Sequence, residues 1–139
     1  MNKEQARELV EQFETCKLPK EKWTHEAHFV MALWYCSHLP LPQAVHTIRE
    51  GIKQYNISIG GANTDHSGYH ETITQFYTRL IINYIMKSGS GSHFEIRLNG
   101  LMRQPFLVKD YPLKFYTKEL LMSKEARNAW VPPDIQSMD

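Results

Sequence analysis

The stretch THEAHFVMALWYC, residues 24–36, decides the fold class. Thr24 is a suitable N-cap, and from Ala27 onward nearly every side chain in the stretch is apolar. A helix that is apolar on all sides has to be covered by other elements over most of its surface. Pro40 and Pro42 end this helix. The segment therefore predicts the central helix of an all-α protein.

Helical periodicity continues on both sides of the central stretch. Asn2 is a suitable N-cap for a first amphipathic helix over residues 3–15, and Pro42 suits the first turn of a third helix. A glycine-rich loop over residues 56–68 precedes a fourth and longest helix over residues 69–87. A flexible Ser-Gly connector follows at residues 88–92, and then come shorter predicted helices at residues 93–102, 117–122 and 124–130. We predict one helical domain, residues 1–139, built as a bundle of four principal helices with a short helical C-terminal cap.

The composition of the chain argues against some classes of function. The chain has 139 residues, of which 42% are hydrophobic and 22% charged, so it can bury a core without disulfides or a structural metal. Its formal charge of +1 lacks the basic excess of a nucleic-acid-binding surface. No run approaches the roughly 18 apolar residues of a membrane span, and the polar N-terminus does not resemble a signal peptide. We therefore expect a cytoplasmic protein that binds neither nucleic acid nor membrane.

The placement of the histidines suggests a metal site. His25 and His28 share one face of the second helix, and His70 falls on the core-facing stripe of the fourth. Buried imidazoles need polar partners, and a divalent metal is one such partner. Three nitrogen ligands would leave one position open for water or substrate, and they suit zinc or iron. A metal-free polar pocket and purely structural histidines remain alternatives, and His66 could be a fourth ligand or solvated.

Other residues near these histidines are candidates for supporting roles. Glu71 is the candidate catalytic residue, as a general base beside His70, although a carboxylate in a first helical turn also has a purely structural explanation. Aromatic residues concentrate nearby, and core packing competes with a pocket role for them. The candidate pocket residues are Trp23, Tyr69, Thr74 and Tyr77.

Three motifs carry a resemblance to a known family. Residues 24–28 read T-H-E-A-H, residues 69–74 read Y-H-E-T-I-T, and residues 126–134 read A-R-N-A-W-V-P-P-D. In these motifs the chain resembles a family of small, uncharacterised bacterial helical proteins. The resemblance implies that His25, His28, His70 and Glu71, which match motif positions of the family, are functional residues. It implies no particular reaction, and His66 falls outside the motifs.

Two functions of different classes follow. The first is a metal-dependent enzyme, a hydrolase with zinc or an oxidoreductase with iron, acting on an unidentified small molecule. The second is a non-catalytic helical module that binds a small ligand or a protein partner in a pocket lined by histidine and tyrosine. An apolar helix surface could also form a homodimer.

Overall fold

The computed structural model describes residues 1–89 and 91–139, and in these residues the fold is all-α, without strands. Ser90, in the predicted Ser-Gly connector, lies outside the described residues. The α-helices are α1 (Lys3–Glu14), α2 (His25–His38), α3 (Leu41–Ser58), α4 (Glu71–Lys87), α5 (Phe94–Leu101), α6 (Lys118–Leu121) and α7 (Lys124–Asn128). Helices α1 to α4 pack on one another, and α6 and α7 form a C-terminal cap. The predicted fold class is confirmed.

Local capping chemistry explains where the helices begin. The Asn2 side chain accepts a hydrogen bond from the Gln5 backbone at 2.8 Å, and the Gln5 side chain accepts one from the Asn2 backbone at 2.9 Å. At α2, Thr24 accepts from the backbone N–H of Ala27 at 3.1 Å. Helix α3 begins at Leu41 with a proline in its first turn. All three predicted starts are thus confirmed to within one residue.

Helix α4 begins later than the sequence pattern predicts. His70 does not belong to the helix: it is the N-cap, and its Nδ1 accepts a hydrogen bond from the backbone N–H of Ile73 at 3.1 Å. Tyr69 consequently lies in the preceding loop. That loop covers residues 59–70 rather than 56–68, because α3 continues to Ser58 and α4 begins at Glu71.

Helix α2 lies at the centre of the core, as its sequence requires. It contacts α1, α3, α4 and α5, and it buries side chains along most of its length. Its buried residues are Ala27, Phe29, Val30, Met31, Ala32, Leu33, Tyr35 and Cys36. Despite this apolar character, none of the helices in the described ranges combines the length and hydropathy that crossing a membrane requires.

Thr72 anchors the C-terminal segment, residues 109–139, to α4. Its fully buried hydroxyl donates to the carbonyl of Ala129 at 2.8 Å and accepts from the N–H of Val131 at 3.2 Å. The Tyr116 hydroxyl donates to the carbonyl of Val131 at 2.7 Å, so the C-terminal segment is fixed at a second point. These bonds fix residues 129–131 on α4 and connect them to Tyr116, and residues 109–122 close one side of a cavity.

Candidate functional site

A cavity of about 530 Å³ lies between α2, α3, α4 and residues 109–122. Its size falls within the roughly 300–1,000 Å³ range of ligand pockets. Most of its wall is apolar: Phe29, Met31, Ala32, Ile48, Ile52, Ile73, Ile81, Pro112, Leu113, Leu121 and Met122. The polar and charged lining residues are His25, His28, Thr74, Tyr77, Thr78, Lys109 and Lys118. An apolar wall with few polar groups is the usual composition of a small-molecule site.

His25 and His28 line this cavity with defined tautomers. The Nε2–H of His25 donates to the carbonyl of Leu107 at 2.5 Å, and the Nδ1–H of His28 donates to the carbonyl of Thr24 at 2.6 Å. Because a carbonyl can only accept, those nitrogens carry the ring protons. In the neutral rings, Nδ1 of His25 and Nε2 of His28 therefore keep their lone pairs. Burial lowers the pKa of His28, which favours its neutral form.

Trp23 positions His28 and is not part of the cavity wall. The two rings stack with their centroids 3.8 Å apart, and Trp23 also stacks on Phe13 at 4.7 Å. The indole of Trp23 therefore restricts the orientation of the His28 imidazole by covering one of its faces. Of the predicted pocket residues, Thr74 and Tyr77 line the cavity, whereas Trp23 and Tyr69 lie outside its lining.

Tyr77 lines the cavity, but its hydroxyl is enclosed by protein. Its hydroxyl is buried and has no hydrogen-bond partner among the described residues. Burial raises the pKa of Tyr77 to about 12, so the hydroxyl keeps its proton at neutral pH. A buried hydroxyl without a partner is energetically unfavourable, and burial of the oxygen itself leaves it out of reach of a molecule in the cavity.

His70 lies outside the cavity lining, and both of its nitrogens are occupied. Besides capping α4 through Nδ1, its Nε2–H donates to the carbonyl of Leu121 at 2.7 Å. Within residues 1–89 and 91–139, no group of three His, Cys, Asp or Glu side chains is placed to hold a metal ion. The structure does not bring His25, His28 and His70 together, and a metal site stays a prediction.

Glu71 lies in a different place from His25 and His28, in a polar cleft beside Tyr69. Its carboxylate accepts two hydrogen bonds from Arg49, both at 2.8 Å, one from Tyr69 at 2.7 Å and one from Gln75 at 2.5 Å. Burial alone would raise the pKa of Glu71, but the hydrogen bonds from Arg49, Gln75 and Tyr69 and the charge of Arg49 lower it to about 2. A carboxylate this strongly stabilised is a weak base near neutral pH, so its contacts favour a structural role.

Sequence reasoning missed the part of the site that comes from the C-terminal segment. Lys109, Lys118 and the apolar side chains between residues 112 and 122 line the cavity, yet they carry no motif and no regular periodicity. Their position depends on contacts between residues far apart in sequence, such as the hydrogen bond from His70 to the carbonyl of Leu121. No local signal could have identified them.

Comparison with protein families, curated proteins and solved structures finds no match to this chain. The resemblance carried by the three motifs therefore stays a prediction. In the structure, residues 69–74 and 126–134 pack against each other, and the first motif contributes His25 and His28 to the cavity.

The buried histidines predict a pH dependence of stability. Burial lowers the pKa of both His28 and His70 from the ordinary value of 6.5, so the unfolded chain binds protons more readily than the folded one. We expect the free energy of unfolding to be fully retained above pH 6.5 and to fall as the pH drops below it. Urea unfolding at about pH 7.5 and about pH 5.5 measures this difference.

Histidine variants test which rings cause this pH dependence of the free energy of unfolding. His70→Asn is expected to reduce the difference between the two pH values, whereas His38→Asn, which removes an exposed ring, should leave it unchanged. Equal stability of the unmodified protein at both pH values would contradict the prediction.

Proposed function

We propose that this protein binds a small, mostly apolar molecule in the cavity between α2, α3 and α4. The observation that carries the proposal is the cavity of about 530 Å³, whose wall is apolar apart from a few polar side chains. The nitrogens of His25 and His28 that keep their lone pairs add directional acceptors to the residues that line it.

The charges at the cavity suggest the class of ligand. Lys109 and Lys118 are exposed members of the lining, and both are cations. Phe29, Ile48 and Ile81 are buried apolar members of the same lining. An apolar carboxylic acid matches this distribution, because its hydrocarbon part would contact the apolar wall while its carboxylate met a lysine.

Calorimetric titration with decanoate and with 4-phenylbutyrate tests the proposal with two shapes of apolar acid. We expect saturable binding of at least one acid, with the negative heat-capacity change that accompanies burial of apolar surface. Ala32 is a small buried member of the lining, so Ala32→Leu should reduce the space and weaken binding. Ala62→Leu, at an exposed loop position, is the matched control. Absence of saturable binding by both acids would overturn the proposal.

The unpartnered hydroxyl of Tyr77 gives a stability prediction for the ligand-free protein. Tyr77→Phe is expected to raise the free energy of unfolding by about 1 kcal/mol, because it removes a buried polar group that lacks a partner. Tyr55→Phe is the matched comparison, since the buried Tyr55 hydroxyl donates to the carbonyl of Leu18 at 2.8 Å. That change should lower the free energy of unfolding by about 1 kcal/mol. Denaturant unfolding measures both, and the same sign for the two variants would contradict the interpretation.

A metal-dependent enzyme is the second candidate, favoured by two imidazoles in one cavity lining. His25 and His28 would supply the protein donors through the nitrogens that keep their lone pairs, and zinc or iron would supply Lewis-acid or redox chemistry when bound. Elemental analysis of protein purified without a histidine tag tests this candidate. Stoichiometric metal that disappears in His28→Ala would support it, and metal-free protein would contradict it.

A further inference from the structure

A second cleft, of about 380 Å³, is lined by residues at the N-terminal end of α4 and is separate from the first cavity. Helix α3 contributes Arg49 and Lys53, one helical turn apart, and the C-terminal segment contributes Arg127 and Trp130. The remaining lining residues are Asn63, Thr64, Tyr69, Glu71, Gln75, Asn128 and Ala129. In contrast to the first cavity, most of these side chains are polar.

The cleft holds more positive than negative charge. Arg49 is neutralised by the buried Glu71 carboxylate through two hydrogen bonds of 2.8 Å. Lys53 is half-buried, and its ammonium lies 5.3 Å from the Tyr69 ring centroid; it has no ion-pair or hydrogen-bond partner among the described residues. Arg127 uses Nη1 to contact backbone carbonyls, including that of Gly68 at 2.9 Å, and makes no ion pair within the described ranges.

Acidic groups near the cleft do not cancel this charge. Asp65 accepts a hydrogen bond from Asn128 at 3.0 Å, but it also lies 3.4 Å from the ammonium of Lys124, which balances it. Arg79, whose guanidinium lies 4.1 Å from the Trp130 ring centroid, adds a further cation beside the cleft. Two cations without an acidic partner, held in a half-buried cleft, repel each other and favour an anion between them.

We propose that this cleft binds a small organic phosphate, with Lys53 and Arg127 contacting the phosphate. A phosphate monoester carries between about −1.5 and −2 charges near pH 7, which matches two uncompensated cations. Arg127 retains Nε and Nη2 as donors, and a guanidinium edge suits phosphate oxygens. The hydroxyl of Thr64 and the amide of Asn128 in the lining add neutral hydrogen-bonding groups.

The aromatic lining residue indicates what the phosphate carries. Trp130 is half-buried: its ring packs against the cluster of Phe76, Tyr116 and Leu121 and lies under the Arg79 guanidinium, and the part that remains exposed gives the cleft an apolar surface next to the cations. The cleft is larger than an inorganic phosphate alone would fill, so an aromatic or other flat organic group fits beside the indole. This proposal stands independently of the ligand in the first cavity, because the two linings share no residue.

Calorimetric titration with phenyl phosphate tests the proposal directly. Lys53→Met removes the uncompensated charge without breaking a hydrogen bond, and we expect about a tenfold loss of affinity. Lys53→Arg, which keeps the charge, should bind within about twofold of the unmodified protein. Lys87→Met is the matched control: Lys87 is exposed at the other end of α4, about 24 Å from Glu71 along the helix.

Two related ligands distinguish recognition of the phosphate from non-specific binding of an aromatic ring or of any anion. Phenol has the same ring without the charge, and benzoate carries a single charge, so both are expected to bind at least about tenfold more weakly than phenyl phosphate. Three results would each overturn the proposal: no saturable binding of phenyl phosphate, equal affinity for phenol or benzoate, or equal losses in Lys53→Met and Lys87→Met. Circular dichroism of each variant confirms that it remains folded.

Discussion

Glu71→Gln is expected to lower the free energy of unfolding by about 3 kcal/mol, because breaking a buried ion pair by removing one partner leaves the other charge unpaired. The Glu71 carboxylate has a side-chain exposure of 8% and accepts hydrogen bonds from Arg49, Tyr69 and Gln75. A glutamine would also turn an amide donor toward groups that are themselves donors. Urea unfolding at neutral pH measures the loss.

The matched control for Glu71→Gln is Glu26→Gln. Glu26 also lies in the first turn of a helix, so any favourable interaction with the helix dipole is common to both residues, but Glu26 is exposed. We expect its replacement to change stability by less than about 0.5 kcal/mol. Similar losses at the two positions would show that the ion pair contributes little.

Gly68→Ala is expected to destabilise the protein by about 3 kcal/mol, for steric reasons. Gly68 has a φ of +80°, and an added Cβ would lie 2.1 Å from the carbonyl oxygen of Ala62 and 2.8 Å from Oδ1 of Asn63. The first contact is with backbone, so it cannot be relieved by rotating a side chain. The second would disturb Asn63, whose Oδ1 accepts from the N–H of Tyr69 at 3.1 Å. Thermal and urea unfolding measure the loss.

Gly89 separates the steric part of this effect from the conformational part. It has nearly the same φ, +81°, but among the residues that the structure describes, leaving out its chain neighbours, no atom lies within 4 Å of an added Cβ. Gly89→Ala should therefore cost only about 1 kcal/mol, the usual penalty of a side chain in this backbone conformation. A loss at Gly68 no larger than that at Gly89 would contradict the proposed close approach to Ala62.

The fold could be predicted because its signals are local. The cap residues Asn2 and Thr24 and the first-turn Pro42 act on backbone groups within three or four residues, so their effect is readable from the sequence. The apolar character of α2 similarly required a central position, which the structure confirms. The structure differs from the prediction at the ends of some helices and in the short 3-10 helices Lys20–Lys22, Pro105–Leu107 and Tyr111–Lys114, which the sequence pattern did not predict.

His70 shows why the candidate site was harder to predict. Its spacing from Ile73 and Tyr77 places it on the inward stripe of a helix, yet the residue caps that helix and uses its lone pair on a backbone N–H. Periodicity reports which face a residue would occupy if it were helical, and it does not report where the helix begins. The second contact of His70, to Leu121, joins residues that are 51 positions apart.

Glu71 and Arg49 illustrate the same limit for charged groups. An acid in a first helical turn is common, and nothing near Arg49 in the sequence indicates a buried partner 22 positions away. The cation-rich cleft was missed for the same reason, because Lys53 and Arg127 come together only after the C-terminal segment packs on α4.

The central claim, that the apolar cavity is a ligand site, is tested most directly by NMR titration of the histidine rings with decanoate. We predict saturable shifts of the His25 and His28 ring signals, which belong to the cavity lining, and unchanged signals for the exposed His38 and His46. Unperturbed His25 and His28 signals at saturating decanoate, or equal shifts at all four histidines, would contradict the claim.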